Sequence, residues 1–146
     1  MSGVLLVCAA STLFMVGVTW FVQAVHYPLF EMVGEERFAA FHDFHSRRTG
    51  YVVALPMLLE LLTSLVLVAE PPGGSRWLAI AGALLAVAIW VSTLTLLAPH
   101  HGRIGREGPS VGNLTRLVRL SWPRTLLWSA HGAVVVAMLA LAMADR

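Results

Sequence analysis

The sequence contains no lysine, one cysteine and few charged residues, and each of these shortages argues against a class of protein. Of its 146 residues, 12% are charged and 58% are hydrophobic, whereas a soluble domain carries roughly 25% charged residues. All ten positive charges are arginines and the net charge is only +2, so a broad basic face for nucleic acid is lacking. The lone Cys8 excludes a disulfide, a CxxC pair or a cysteine zinc site within one chain, and with them thiol chemistry of the four-helix quinone-reductase type.

Four apolar segments are long enough to cross a membrane, which takes about 20 mostly apolar residues in a helix. They cover approximately residues 4–25, 51–69, 77–98 and 124–144. We therefore predict an all-α, up-down-up-down bundle of four transmembrane helices in a single integral membrane domain, residues 1–146. The first segment has a long apolar run with no basic residue before it, so we expect it to remain as helix one and not to be cleaved as a signal.

The connections between these segments are unequal in length and polarity. Residues 70–76 form a short turn rich in proline and glycine, which predicts that the second and third helices are antiparallel neighbours. The connections over 27–50 and 99–123 are long and hold most of the polar residues. Any chemistry is therefore expected on the side of the membrane where these two connections lie.

The first long connection contains a pattern typical of an amphipathic helix. Over residues 35–47, large aromatic and histidine side chains recur at spacings of three and four, at Phe38, Phe41, His42 and His45. We predict a short interfacial helix here, lying along the membrane surface before the second transmembrane helix begins. A similar pattern over 111–120 is consistent with an extension of the fourth helix, in which Pro123 would form a kink.

Arginine is concentrated on one side of the predicted bundle. Two arginines, Arg76 and Arg146, belong to the side of the short turn, and eight belong to the side of the long connections: Arg37, Arg47, Arg48, Arg103, Arg106, Arg116, Arg119 and Arg124. Cytoplasmic loops of membrane proteins carry the positive excess. We therefore predict a bacterial inner-membrane protein with the long connections in the cytoplasm and both termini outside it.

Glu60 is the most informative polar residue within a predicted helix. It lies about nine residues inside the second segment, or roughly 13 Å deep at 1.5 Å per residue. An ionisable side chain at that depth costs several kcal/mol unless it is paired, protonated or bound to a cation. Besides metal binding, the alternatives are a neutral acid bonded to Thr63 and an ion pair with Arg124 or with an arginine of the connections.

All the histidines fall on the predicted cytoplasmic side, at positions His26, His42, His45, His100, His101 and His131. Imidazole and carboxylate together suit Zn, Fe, Mn or Cu, and two histidines at i and i+3 of a helix can point at one ion. The candidate metal ligands are therefore His26, His42, His45, Glu60 and His101, with His100 as the alternative to His101. Membrane desaturases and hydroxylases, which use eight or more ligands, have a loosely similar arrangement. Should His26 lie too near the membrane edge, Glu60 and His131 would form a separate deep pair.

Several motifs together resemble a family of small bacterial four-helix integral membrane proteins without an established reaction. The matching strings are HYPLF at 26–30, FHxxHSRR at 41–48, PMxxE at 56–60, PxH at 99–101 and SWxRTxxW at 121–128. The resemblance implies a four-helix fold with a shared His/Glu site. The family pattern usually has Asn where Ser121 stands and Arg where His131 stands, which weakens His131 as a ligand and favours His101 over His100. A more distant likeness to fungal anthrone oxygenase-type membrane proteins rests on helix count and size.

The leading hypothesis is a membrane metalloprotein, an oxidoreductase or oxygenase acting on a lipophilic small molecule, with Fe as the favoured metal. Gln23 would orient a ligand, while Trp122 and Arg124 would border the substrate entrance. The second hypothesis is haem b electron transfer, with His26 facing His101 or His131. The third is a transport or proton-relay module built on Glu60 and His131, which would require a homo-oligomer. The fourth is a non-catalytic subunit of a larger membrane complex.

Overall fold

The computed structural model describes residues 3–74 and 76–144, and it forms a bundle of four long helices. The helices are α1 Gly3–Met32, α2 Glu35–Ala69, α3 Arg76–Glu107 and α4 Val111–Ala144. Each is long and apolar enough to cross a membrane, and the described residues contain no strand. The chain is therefore a multi-pass all-α membrane protein, as the sequence predicts.

Neighbouring helices pack in the cyclic order α1, α2, α3, α4. The turn between α2 and α3 is tight, because Gly73 and Gly74 adopt φ angles of +56° and +66°. Residues other than glycine rarely adopt these angles. At the other end, Ser110 caps α4, since its hydroxyl oxygen accepts a 3.1 Å hydrogen bond from the Asn113 N–H. These short connections make the bundle up-down-up-down.

The prediction of a separate interfacial helix is wrong. Residues 35–47 are helical, but they form the first turns of one continuous helix, Glu35–Ala69. Gly50 does not interrupt it, because its backbone stays helical and lacks a positive φ. Counting apolar residues locates the stretch that contacts lipid, whereas backbone hydrogen bonding continues into the polar flank until a residue breaks it.

The two long connections are likewise mostly helical. The actual breaks are short: Val33 and Gly34 are extended between α1 and α2, and the break between α3 and α4 begins at Gly108, where φ is +79°. The expected extension of the fourth helix is confirmed, since α4 runs unbroken through Pro123.

Two helices contain a widened turn just before a proline. A π-helical segment spans Val22–His26 in α1 and Thr93–Leu97 in α3, and Pro28 and Pro99 follow shortly after. The proline ring crowds the carbonyl four residues earlier, which lies inside the π segment in both helices, and the wider turn relieves this crowding. The extra residue in each wide turn rotates the following side chains by about 100°.

The interior of the bundle is layered along its axis. A central apolar layer takes one large side chain from each helix: Met15, Met57, Ile89 and Trp128. Polar side chains lie on both sides of this layer, and a second apolar cluster fills the end near the short turn, including Leu5, Leu67, Ala79, Val135 and Met138. The outer surface carries many exposed apolar side chains such as Leu13, Phe14, Leu55 and Leu62, which suits contact with lipid.

Candidate functional site

Four histidines from three helices meet at the end of the bundle opposite the short turn. His26 Nε2 lies 2.6 Å from His45 Nδ1, and His42 Nε2 lies 3.3 Å from His101 Nδ1. The two pairs adjoin, since the rings of His45 and His101 stack with centroids 5.8 Å apart. We call His26, His42, His45 and His101 the histidine cluster.

The local backbone explains why these rings converge. His42 and His45 lie at i and i+3 of α2, so they share one face. His26 ends the π segment of α1, and His101 follows the π segment of α3. The neighbouring His100 points elsewhere, because its Nε2 donates a 2.9 Å hydrogen bond to the Asn113 carbonyl of α4. His101 and not His100 therefore joins the cluster, which is the choice that the family resemblance favours.

Two hydroxyl groups contact ring nitrogens of the cluster, and neither was singled out from the sequence. The Tyr27 hydroxyl lies 3.0 Å from His101 Nε2, and Thr49 Oγ1 lies 3.1 Å from His45 Nδ1. Their spacing in the sequence could have indicated both contacts, because Thr49 follows His45 by one helical turn and Tyr27 adjoins His26. Contacts of this kind fix the orientation of a histidine ring.

An aromatic wall covers the cluster. The fully buried Phe30 meets the rings of His26 and His45 edge-on, with centroids 5.4 and 5.0 Å away. Phe38 stacks on His42 at 5.9 Å. These phenylalanine rings offer no hydrogen-bonding groups, so the cluster is bounded by apolar surface on this side.

The nitrogen spacing allows a direct test of metal fit. A tetrahedral ion with two nitrogens about 2.0–2.1 Å away separates them by about 3.3 Å. The distance between His42 Nε2 and His101 Nδ1 matches this value at 3.3 Å, whereas His26 Nε2 and His45 Nδ1 are closer, at 2.6 Å. Over residues 3–74 and 76–144, no three or more His, Cys, Asp or Glu side chains are arranged around a common metal position. The cluster thus presents two-nitrogen pairs.

Glu60 does not accompany the histidine cluster. It lies fifteen residues after His45 on the same unbroken helix, which is about 22 Å along the axis. Its Oε1 lies instead 2.7 Å from His131 Nδ1, and both side chains are fully buried. The separate deep pair, weighed as the alternative, is therefore the arrangement found.

The deep pair continues into a short chain of polar side chains. His131 Nε2 lies 3.4 Å from Ser64 Oγ, which lies 3.5 Å from Cys8 Sγ. We call Cys8, Glu60, Ser64 and His131 the deep polar centre. The Thr63 hydroxyl donates to the Leu59 carbonyl at 2.6 Å and does not hold the Glu60 carboxyl group. Glu60 Oε2 has no hydrogen-bond partner within the described part of the chain.

Two apolar layers enclose the deep polar centre. The central layer with Met57 and Trp128 separates it from the histidine cluster, and the cluster with Leu67 and Val135 closes the opposite end. Proton transfer to either side would have to cross packed apolar side chains. This enclosure favours a structural role, in which a buried polar group fixes the register of α1, α2 and α4.

The expected roles of Gln23 and Trp122 differ from their placement. Gln23 Nε2 donates to the Val118 carbonyl at 3.2 Å, and its Oε1 accepts a short hydrogen bond from the Ser121 hydroxyl, so its amide ties α1 to α4 and does not orient a histidine. Trp122 packs edge-to-face on Trp20 at 5.8 Å and is exposed on the outer surface, not at a pocket entrance. The sequence could not identify these contacts, because a residue type in a helix does not tell which side chain of a neighbouring helix it meets.

Arg124, in contrast, reaches a cavity beside the histidine cluster. This chamber has a volume of about 270 Å³, and its lining includes His45, His101, Tyr27, Thr49, Thr93 and Arg124. It adjoins a groove of about 410 Å³ between α1 and α2, lined by Phe21, Val52 and Arg48 among others. The chamber thus joins the cluster to the lipid-facing surface.

Comparisons with protein families, with curated proteins and with solved structures found no match to this chain.

Proposed function

We propose that this chain is an integral membrane metal-binding protein whose histidine cluster is the metal site, and that it acts as an oxidoreductase on a lipophilic small molecule. The observation that carries the proposal is the convergence of four imidazoles from three helices beside a chamber that opens towards lipid. Isolated histidines in membrane helices serve as packing residues, but here two nitrogen pairs lie against one aromatic wall, and the pair of His42 and His101 has the spacing of two ligands of one ion.

The ligands present in the histidine cluster change which metal we expect it to bind. A site that mixes imidazole with carboxylate favours iron. Glu60, however, lies about 22 Å from His45 along α2, so the histidine cluster has no carboxylate from it. A set made only of imidazoles suits Cu or Zn at least as well as Fe. Zn carries no redox chemistry, so the proposed oxidoreductase function favours Cu, with Fe second. A bound ion of this kind would supply one-electron chemistry.

The chain's own residues would orient the ligands and control access to them. Tyr27 and Thr49 hold the rings of His101 and His45, Phe30 excludes water from one side, and Arg124 places a positive charge in the chamber. A hydrophobic substrate would enter from the bilayer through the groove between α1 and α2. The deep polar centre takes no part in these roles.

The arginine distribution supports a bacterial inner-membrane location with this site at the cytoplasmic side and both termini outside. Arg47, Arg48, Arg103 and Arg106 lie on the parts of α2 and α3 that carry the histidine cluster. Because positive residues concentrate on the cytoplasmic side, the cluster end is the inner end in this proposal.

Haem b is a weaker candidate than a bare metal ion. Two axial imidazoles would hold their nitrogens roughly 4 Å apart, with the porphyrin between them. Both pairs of the cluster are closer than that, at 2.6 and 3.3 Å. Haem would also show a Soret band, which separates the two hypotheses in one absorption spectrum.

The test is metal analysis of detergent-purified protein with an adjacent histidine as the control. We expect stoichiometric Cu or Fe in the wild type, a loss of more than half in His42→Ala and in His101→Ala, and no change in His100→Ala, whose ring faces α4. Equal metal content in the three variants, or wild-type protein that takes up no metal when Cu or Fe is supplied, would remove the metal site.

A further inference from the structure

An arginine without a carboxylate partner faces the chamber. Arg124, Tyr27 and His101 line this chamber together. In residues 3–74 and 76–144, arginines form ion pairs only between Arg47 and Asp43 and between Arg103 and Glu107, so Arg124 has no counter-charge there. Its Nε is buried and lacks a hydrogen-bond partner.

The positive charge of Arg124 at the chamber would be stabilised by a bound anion. Arginines in membrane proteins pair with acids or carbonyl groups because an uncompensated cation in low-dielectric surroundings is costly. The other groups that line the chamber are hydroxyls, imidazoles and apolar side chains. A ligand that supplies the counter-charge would therefore bind more tightly than a neutral one of the same shape.

The chamber and the neighbouring groove share one boundary. Val18, Val22, Thr49 and Val53 line both spaces. From this boundary the groove runs along the surface between α1 and α2, past the exposed Phe21 and Val52. The connected space thus has a cationic inner end and an apolar outer part.

We propose that this space binds a single-chain amphiphile with a carboxylate head, a fatty acid or a similar acidic lipid, with its head on Arg124 and Tyr27 and its chain in the groove. A guanidinium matches a carboxylate with two parallel hydrogen bonds, and an apolar chain gains by leaving water for the groove. Arg48 lines the same groove and offers a first contact for the charged head at the membrane surface.

This inference rests on the proposed function for one step, namely that the bound amphiphile is the substrate. His45 and His101 line the same chamber as Arg124, so the carbon atoms next to the head group would lie nearest the histidine cluster. The binding itself does not depend on a metal ion.

Binding is tested by titrating protein in an uncharged maltoside detergent with radiolabelled oleate, using oleyl alcohol as the neutral probe of the same chain length. We expect oleate to bind at least about tenfold more tightly than oleyl alcohol, because charged hydrogen bonds are the stronger ones. Arg124→Gln should weaken oleate binding by about the same factor and leave oleyl alcohol unaffected. The matched control is Arg119→Gln, on the exposed side of the same helix, for which we expect less than a twofold change.

Equal affinity of the wild type for oleate and oleyl alcohol would overturn the proposal, and that comparison needs no variant. Unchanged oleate binding by Arg124→Gln would also overturn it, as would displacement of oleate by phosphatidylglycerol at equal concentration, which would indicate a diacyl lipid site. Val53→Trp should fill the shared boundary and lower oleate binding. Metal content of the same samples separates the two proposals, because Arg124→Gln should keep its metal.

Discussion

Glu60 Oε1 and His131 Nδ1 approach to 2.7 Å inside the bundle, with both side chains fully buried. The contact joins α2 to α4, and Ser64 and Cys8 extend it to α1. The approach is close, yet it is not an aligned hydrogen bond, so its contribution is chiefly electrostatic. A pair of this kind is costly to break from one side, because the remaining partner is left buried and uncompensated.

Breaking the deep pair should lower stability without changing metal binding. We expect His131→Leu to cost about 3 kcal/mol in the free energy of unfolding, measured by denaturation in mixed micelles. Adding Glu60→Gln to His131→Leu should recover part of that loss, because the unpaired acid is removed. Metal content should stay at the wild-type level in both. Loss of metal in the single variant Glu60→Gln would show that Glu60 is a ligand after all.

The Tyr27 hydroxyl should matter for metal affinity through the ring of His101. We expect Tyr27→Phe to weaken metal binding by about 10–100-fold, which is the usual effect of removing a group that orients a ligating histidine. Competition with a chelator of known affinity measures the change. Tyr51→Phe is the matched control, since Tyr51 is the other tyrosine and is 77% exposed. Similar losses in both variants would mean that Tyr27 has no specific role.

The sequence predicted the four-helix bundle because length and apolar composition determine it, and both are visible without a structure. It also predicted the grouping of His26, His42, His45 and His101, since helix ends on one side of a membrane are confined to the same region. It placed Glu60 with these histidines in its leading hypothesis and gave the pair with His131 only as the alternative, although the fifteen residues from His45 to Glu60 already indicate the separation. Because residues 35–47 were treated as a separate surface helix, the distance from His45 to Glu60 could not be counted along one helix axis.

The π segments limited prediction of the site in a different way. An ordinary helical repeat assigns faces at 100° per residue, and each wide turn before Pro28 or Pro99 shifts the later faces by about one more step. The choice between His100 and His101 therefore could not follow from periodicity alone. The positions of the prolines were visible, but proline in a helix can also cause a kink or a break.

The close approach of α1 and α4 gives a test of the packing itself. A Cβ atom built on Gly132 would lie 3.1 Å from Val16 Cγ2, whereas one built on Gly112 of the same helix meets nothing within 4 Å. Gly132→Ala should therefore lower the free energy of unfolding by about 1–3 kcal/mol through overpacking, partly offset by the higher helix propensity of alanine. Gly112→Ala should be neutral or stabilising by up to about 1 kcal/mol. If Gly132→Ala were as stable as Gly112→Ala, the Val16 side chain would have to move away from position 132 without cost, and the prediction of overpacking would be wrong.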